Sequence, residues 1–181
     1  MTKLKVFLAV LLASLSLHIH PSEIDSLLRE LDMSIRNRPQ YTLKRQEQID
    51  ALQRKLRLSH SDQERYDLYR ELFGKYRSYR MDSALWVANQ RVELAKRMKN
   101  PLYVRSAELN IAEVMIGVAM YKEGLEILDG IKSADLDASG VSYYYYQYHQ
   151  VYTLMADYAF SDQMKEHYRG LAYQYIDSII S

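Results

Sequence analysis

Cysteine is absent from this chain, which excludes disulfides, a thiol nucleophile, thiolate metal ligation and a lipidated N-terminal cysteine together. Proline and glycine are sparse, at three and six copies in 181 residues. Pro21, Pro39 and Pro101 all fall between apolar-periodic segments, where helices tolerate proline, so long helices joined by short turns are expected. Charge is also nearly missing in sum: the formal net value is +1, too small for the whole molecule to hold nucleic acid electrostatically. The glycines never cluster into a phosphate loop or dinucleotide fingerprint, and there is no G-x-S-x-G elbow. His60, His149 and His167 lie far apart with no paired spacing, and His18-x-His20 sits beside a leader's cleavage region, so no metal site is expected. Asp135 and Asp137 could in principle do acid and base chemistry, but KSADLDASG reads as a polar turn with local side-chain bonding. No cofactor and no catalytic residue are expected.

What the chain does have is apolar content, 48 % of residues, enough for one domain with a continuous core. Residues 1–20 read as a signal peptide of uncertain cleavage. Lys3 and Lys5 form its positive region and Val6 to Leu15 its apolar stretch, which is too short to span a bilayer comfortably. Export is therefore expected, and a secreted chain without cysteine suits a Gram-negative periplasm better than an oxidising extracellular space. No later segment approaches the ~20 apolar residues that cross a membrane. Membrane attachment is expected only through an uncleaved signal or a region beyond Ser181.

Helical periodicity runs through the rest. Ile24, Leu27, Leu28, Leu31 and Ile35 mark a first helix ending at Arg38-Pro39, because the residue before proline avoids the helical region. A polar helix from about Thr42 to Leu58, striped by Ile49, Leu52 and Leu56, completes an N-terminal hairpin over 21–60. Ser61 and Glu64 form a capping box for a helix carrying Tyr66, Tyr69, Leu72, Phe73 and Tyr76. The next helix starts near Asp82 and closes on the basic turn Lys96 to Lys99. Asn100-Pro101 supplies a cap and a first-turn proline for a helix to about Met120, apolar on nearly every side and so expected at the centre of the fold. Three more helices are placed at about Lys122 to Ile131, Ser142 to Ala159 and Asp162 to Ile180.

A weak internal period joins them. Ala84-Leu85, Gly124-Leu125 and Gly170-Leu171 each set a small residue before leucine, 40 and 46 residues apart, as close-packed helical hairpins require. Leu109-Asn110-Ile111-Ala112 followed by Met120-Tyr121-Lys122-Glu123-Gly124-Leu125 resembles a tetratricopeptide (TPR) repeat. The resemblance covers about 61–181 and implies an all-α stack of antiparallel helical hairpins that binds protein or peptide. The leader, the R-P-Q-Y turn at Arg38 to Tyr41 and the D-S-A-L start at Asp82 also resemble the periplasmic N-terminal TPR region of Gram-negative regulatory membrane proteins whose function is not established. That likeness implies a sensory role and a membrane helix that would follow Ser181, so this chain is a fragment, a truncated relative, or no receptor at all.

Within the resemblance, Asn110 stands where some TPR domains grip a peptide carboxylate. Only four basic residues follow Arg105, so a helix-to-helix hydrogen bond is the expected role. Tyrosine is the compositional outlier, with seventeen copies. At 100° per residue, Tyr144, Tyr145, Tyr148, Val151, Tyr152 and Met155 share one face, assigned to the core. Tyr143, Tyr146 and Gln150 fall on the opposite side and, with Asn110, are the candidate partner-binding residues. Charge is also split: residues 29–105 hold 18 Lys and Arg against 10 Asp and Glu, and residues 106–181 hold 4 against 11. Head-to-tail self-assembly of basic and acidic ends is the alternative function.

Overall fold

The computed structural model describes residues 21–180, with side chains from 24 to 178. The signal peptide and the His18/His20 pair lie outside the described residues. Helices make up 86 % of what is described, and no strand occurs there. In chain order they are α1 (Pro21–Leu58), α2 (Asp62–Tyr76), α3 (Met81–Arg97), α4 (Pro101–Gly117), α5 (Tyr121–Asp129), α6 (Ala138–Asp157) and α7 (Asp162–Ile180), with a 3-10 turn at Ser133–Asp135. Among the described residues, no helix is long and apolar enough to cross a membrane.

The chain divides into two compact units, 1–48 and 49–181. The expected hairpin over 21–60 is instead a single helix that runs through Pro39. Proline there deletes one backbone bond, from its own nitrogen to the Ile35 carbonyl. The flanking Leu, Met, Arg, Gln, Lys and Glu residues are strong helix formers, and their summed preference carries the helix across the gap.

Local chemistry sets the ends of the second unit's helices. The Ser61 hydroxyl accepts from the Glu64 backbone N–H at 3.0 Å, while the Glu64 carboxylate turns to the Ser59 hydroxyl at 2.7 Å instead of closing the box. Asn100 caps α4 through the Tyr103 N–H at 3.1 Å. Asp137 caps α6 through the Gly140 N–H at 2.7 Å. That cap starts α6 four residues earlier than the expected Ser142, because DASG is the cap and first turn of the helix and not a linker. At the other end, α3 and α4 both finish in Schellman turns. Lys99 and Ala119 take φ values of 53° and 63°, and the Asn100 and Met120 N–H groups reach back to the Ala95 and Met115 carbonyls at 3.0 and 2.8 Å. Each reversal is thus made in three residues, which lays neighbouring helices side by side.

Packing follows chain order from α2 to α7, with α4 also touching α6. Three apolar clusters succeed one another along the stack. Ile49, Leu52, Leu72, Phe73, Ala84 and Val87 belong to the first. Tyr66, Val92, Leu94, Ala95 and Ala107 make the second, and Leu109, Ala112, Ile116, Leu128, Tyr148 and Val151 the third. Close approach through a small residue holds at Ala84, which is fully buried, and at Gly124, where a Cβ would stand 2.8 Å from Ile116 Cγ1. It fails at Gly170, whose added Cβ would meet nothing within 4 Å. There Ala172, 4 % exposed, is the small residue that α7 buries. The tyrosine face of α6 is core as expected: Tyr148 is 4 % exposed, stacks on Tyr175 at 4.5 Å and donates to Asp129 at 2.6 Å.

Candidate binding groove

The first helix of each hairpin, α2, α4 and α6, contributes one wall of a groove of about 340 Å³. Tyr66, Arg70 and Phe73 of α2 and Arg77, its C-terminal cap, recur at i, i+4, i+7 and i+11, which puts them on one face of the helix. Leu102, Tyr103, Ser106 and Asn110 of α4 line the middle, and Ser139, Gly140 and Tyr143 at the start of α6 complete it. Gly74 also lines the groove, and a Cβ added there would meet nothing within 4 Å.

Two hydrogen-bonded clusters organise these walls. In the first, Tyr66 stacks on Tyr103 at 4.5 Å and 8°, and its hydroxyl donates to the Tyr103 carbonyl at 2.9 Å. Beneath the groove, Arg91 reaches up from α3 and is only 2 % exposed. It donates through Nη2 to the Tyr66 hydroxyl at 2.8 Å and through Nη1 to Asn110 Oδ1, and its Cζ lies 4.4 Å from the centre of the Tyr66 ring. Burial pushes the Arg91 pKa down from its ordinary value, with Tyr66 partly opposing the shift. In the second cluster, Glu113 of α4 takes the Tyr143 hydroxyl of α6 on one carboxylate oxygen and Arg77 of α2 on the other, the latter at 3.1 Å. Burial first, and then the Glu113 charge, raises the Tyr143 pKa. One carboxylate so ties the three walls together.

The structure brings two of the four sequence candidates to the groove. Asn110 is 8 % exposed and takes the helix-to-helix bond expected of it, with Arg91 as the donor. Tyr143 is half-buried on the groove wall and is not a freely exposed ring. Tyr146 is 48 % exposed and Gln150 is half-buried, and neither lines the groove. They diverge because the α6 face that meets α4 cuts between Tyr143 and Tyr146. Sequence reasoning missed Arg91, although its signal was present: it falls at i+7 from Ala84 in the stripe Ala84, Val87, Ala88, Arg91, Ala95, as the one charge on an apolar face. Glu113 and the α2 arginines carry no comparable mark.

Residues 35–181 match the family model described as the SusR N-terminal TPR domain. The chain belongs to that family. No curated protein and no solved structure matches it. The SusR-type TPR match spans most of the chain and includes all six helices of the second unit, which pair in chain order as the hairpins α2/α3, α4/α5 and α6/α7. TPR domains are protein-interaction modules that typically carry out no catalysis of their own, and the first helices of successive repeats form the face on which such stacks present a concave surface.

Proposed function

We propose that this chain is an exported protein- or peptide-binding module, the sensory part of a regulatory protein of the bacterial envelope, and that its partner lies in the groove between α2, α4 and α6. The observation that carries this reading is the groove itself, walled by tyrosine, arginine and asparagine from three successive repeats. Tyrosine offers apolar area and a hydroxyl at low entropic cost, which suits recognition of an extended peptide. Tyr143 and Asn110 serve the groove directly, and Tyr146 and Gln150 extend the contact along α6. Export rests on Lys3, Lys5 and the apolar run from Val6 to Leu15.

Gly74 provides the test. An added Cβ at Gly74 meets nothing within 4 Å, so Gly74→Trp directs an indole into the groove from a position with room for its first carbon. Used as bait in an envelope extract, the wild-type chain should capture a partner that the Gly74→Trp variant loses at an unchanged thermal midpoint. Undiminished capture by that variant refutes the groove as the binding surface. A phosphatase fused after Pro21 should be active in the periplasm, and a fusion that is stable but confined to the cytoplasm refutes export.

A further inference from the structure

The N-terminal part of α1 carries an apolar row that nothing in its own unit covers. Ile24, Leu27, Leu28, Leu31 and Ile35 recur at helical spacing and are 45–62 % exposed. Scattered surface leucines need no explanation, but five large aliphatic side chains in line along about 17 Å of helix mark an interaction face. The row ends at Arg38, which holds its next position. Charge borders it unevenly. Asp25, Arg29, Asp32 and Arg36, all exposed, follow one another along one flank at steps of four, three and four residues. The opposite flank, with Glu30 and Ser34, holds no base.

We propose that this face pairs two copies of the chain, α1 against α1 in antiparallel, about a two-fold axis near Glu30. The charge order selects both a second copy and its direction. Read from opposite ends, Asp25-Arg29-Asp32-Arg36 meets Arg36-Asp32-Arg29-Asp25, so each acid of one copy stands beside a base of the other. A parallel pair would set the same flank against Glu30 and Ser34 and leave both aspartates unanswered. The apolar row fits the antiparallel register too: Ile24 meets Ile35 and Leu28 meets Leu31, each contact occurring twice by symmetry. These apolar pairs centre one residue from the charge pairs, about 1.5 Å along the axis, which an arginine side chain spans. Two such rows bury about 1,000 Å² together, at the lower limit of specific interfaces, so the dimer is of micromolar and not nanomolar strength. Pairing through α1 does not depend on what the groove binds.

Analytical ultracentrifugation of the full chain from about 1 μM to 1 mM should show a reversible monomer–dimer equilibrium. Leu31→Asp should weaken it by about tenfold or more at an unchanged thermal midpoint. Met33→Asp, on the opposite side of the same helix and 56 % exposed, should leave it intact. A chain that stays monomeric throughout, or a dimer that both substitutions or neither weaken, overturns the pairing. Because the chain has no cysteine, introduced thiols report its direction. Mixed Ile24→Cys and Ile35→Cys chains should form a disulfide with each other, and neither should link to its own kind, since like positions lie about 16 Å apart in the antiparallel pair. Self-linked Ile24→Cys refutes that arrangement. Salt at about 1 M should shift the equilibrium by less than about tenfold, whereas complete dissociation would assign the dimer to the chain's basic and acidic halves and overturn the apolar seam. Binding of a monomeric chain to vesicles of phosphatidylethanolamine and phosphatidylglycerol, lost in Leu31→Asp but kept in Met33→Asp, would give the face to a lipid surface and overturn the second copy.

Discussion

Gln147 occupies the interior of α6 at 0 % exposure, and neither its Nε2 nor its Oε1 finds a hydrogen-bond partner. An unmet buried polar group costs about 1–3 kcal/mol. Methionine has nearly the length and volume of glutamine without either polar atom, so Gln147→Met should stabilise the fold by about 1–3 kcal/mol. For a chain of this size that corresponds to a rise in thermal midpoint of about 2–12 °C. Gln147→Ala should gain less or lose, because it exchanges the unmet amide for a void costing about 24 cal/mol per Å³. Gln147→Glu should destabilise most, since it buries a charge in the same place. Calorimetric melting of the three variants beside the wild-type chain, with denaturant slopes to confirm an unchanged denatured state, reads the order Met above wild type above Glu. A lowered midpoint for Gln147→Met would refute the reasoning and mean that the amide is satisfied, as by a buried water making two or more hydrogen bonds.

Tyr148→Ala should cost about 3–5 kcal/mol in chemical denaturation, because it empties a buried ring site, whereas exposed Tyr146→Ala should stay within about 0.5 kcal/mol of wild type; similar losses for both would show that the two faces of α6 are equally buried. Identical Gly→Ala changes should differ in sign. Gly170→Ala gains about 1 kcal/mol of helix propensity in open space, while Gly124→Ala forces Ile116 away from a 2.8 Å contact and lowers the midpoint. Asp137→Ala should cost about 1 kcal/mol at neutral pH through the lost α6 cap. The Gly140 N–H first, and then the Ser139 hydroxyl, hold the Asp137 pKa below its ordinary 3.8. Its stabilising share is therefore fully present above the unfolded value and disappears as pH falls through the lowered folded one, so the gap between the two proteins should close in acid. A gap that widens in acid contradicts the cap.

Much of this fold was written in local signals. Ser61, Asn100-Pro101 and the apolar stripes of α2 to α7 specify helix after helix from residues three or four apart, and the small-before-leucine rhythm at Ala84 and Gly124 marks where hairpins close on each other. Such features need only short-range sterics and hydrogen bonding, so they are legible without coordinates. Pro39 was misjudged because a single unfavourable residue was weighed against its neighbours' summed propensity, and Gly170 because a pattern alone does not say which side of a helix meets another. The groove lay beyond reach for a different reason. Arg91, Asn110, Glu113 and Tyr143 come from three helices and are joined in two pairs by bonds spanning 19 and 30 residues. One buried arginine on an apolar stripe was visible in the sequence, but whether a carboxylate would stand beside it was not. Sequence alone determined a TPR-like stack of helices with tyrosine in its core. The tertiary structure decided that Arg91 is buried against the neutral oxygens of Tyr66 and Asn110, because burial and pairing depend on distance in space and not on position along the chain.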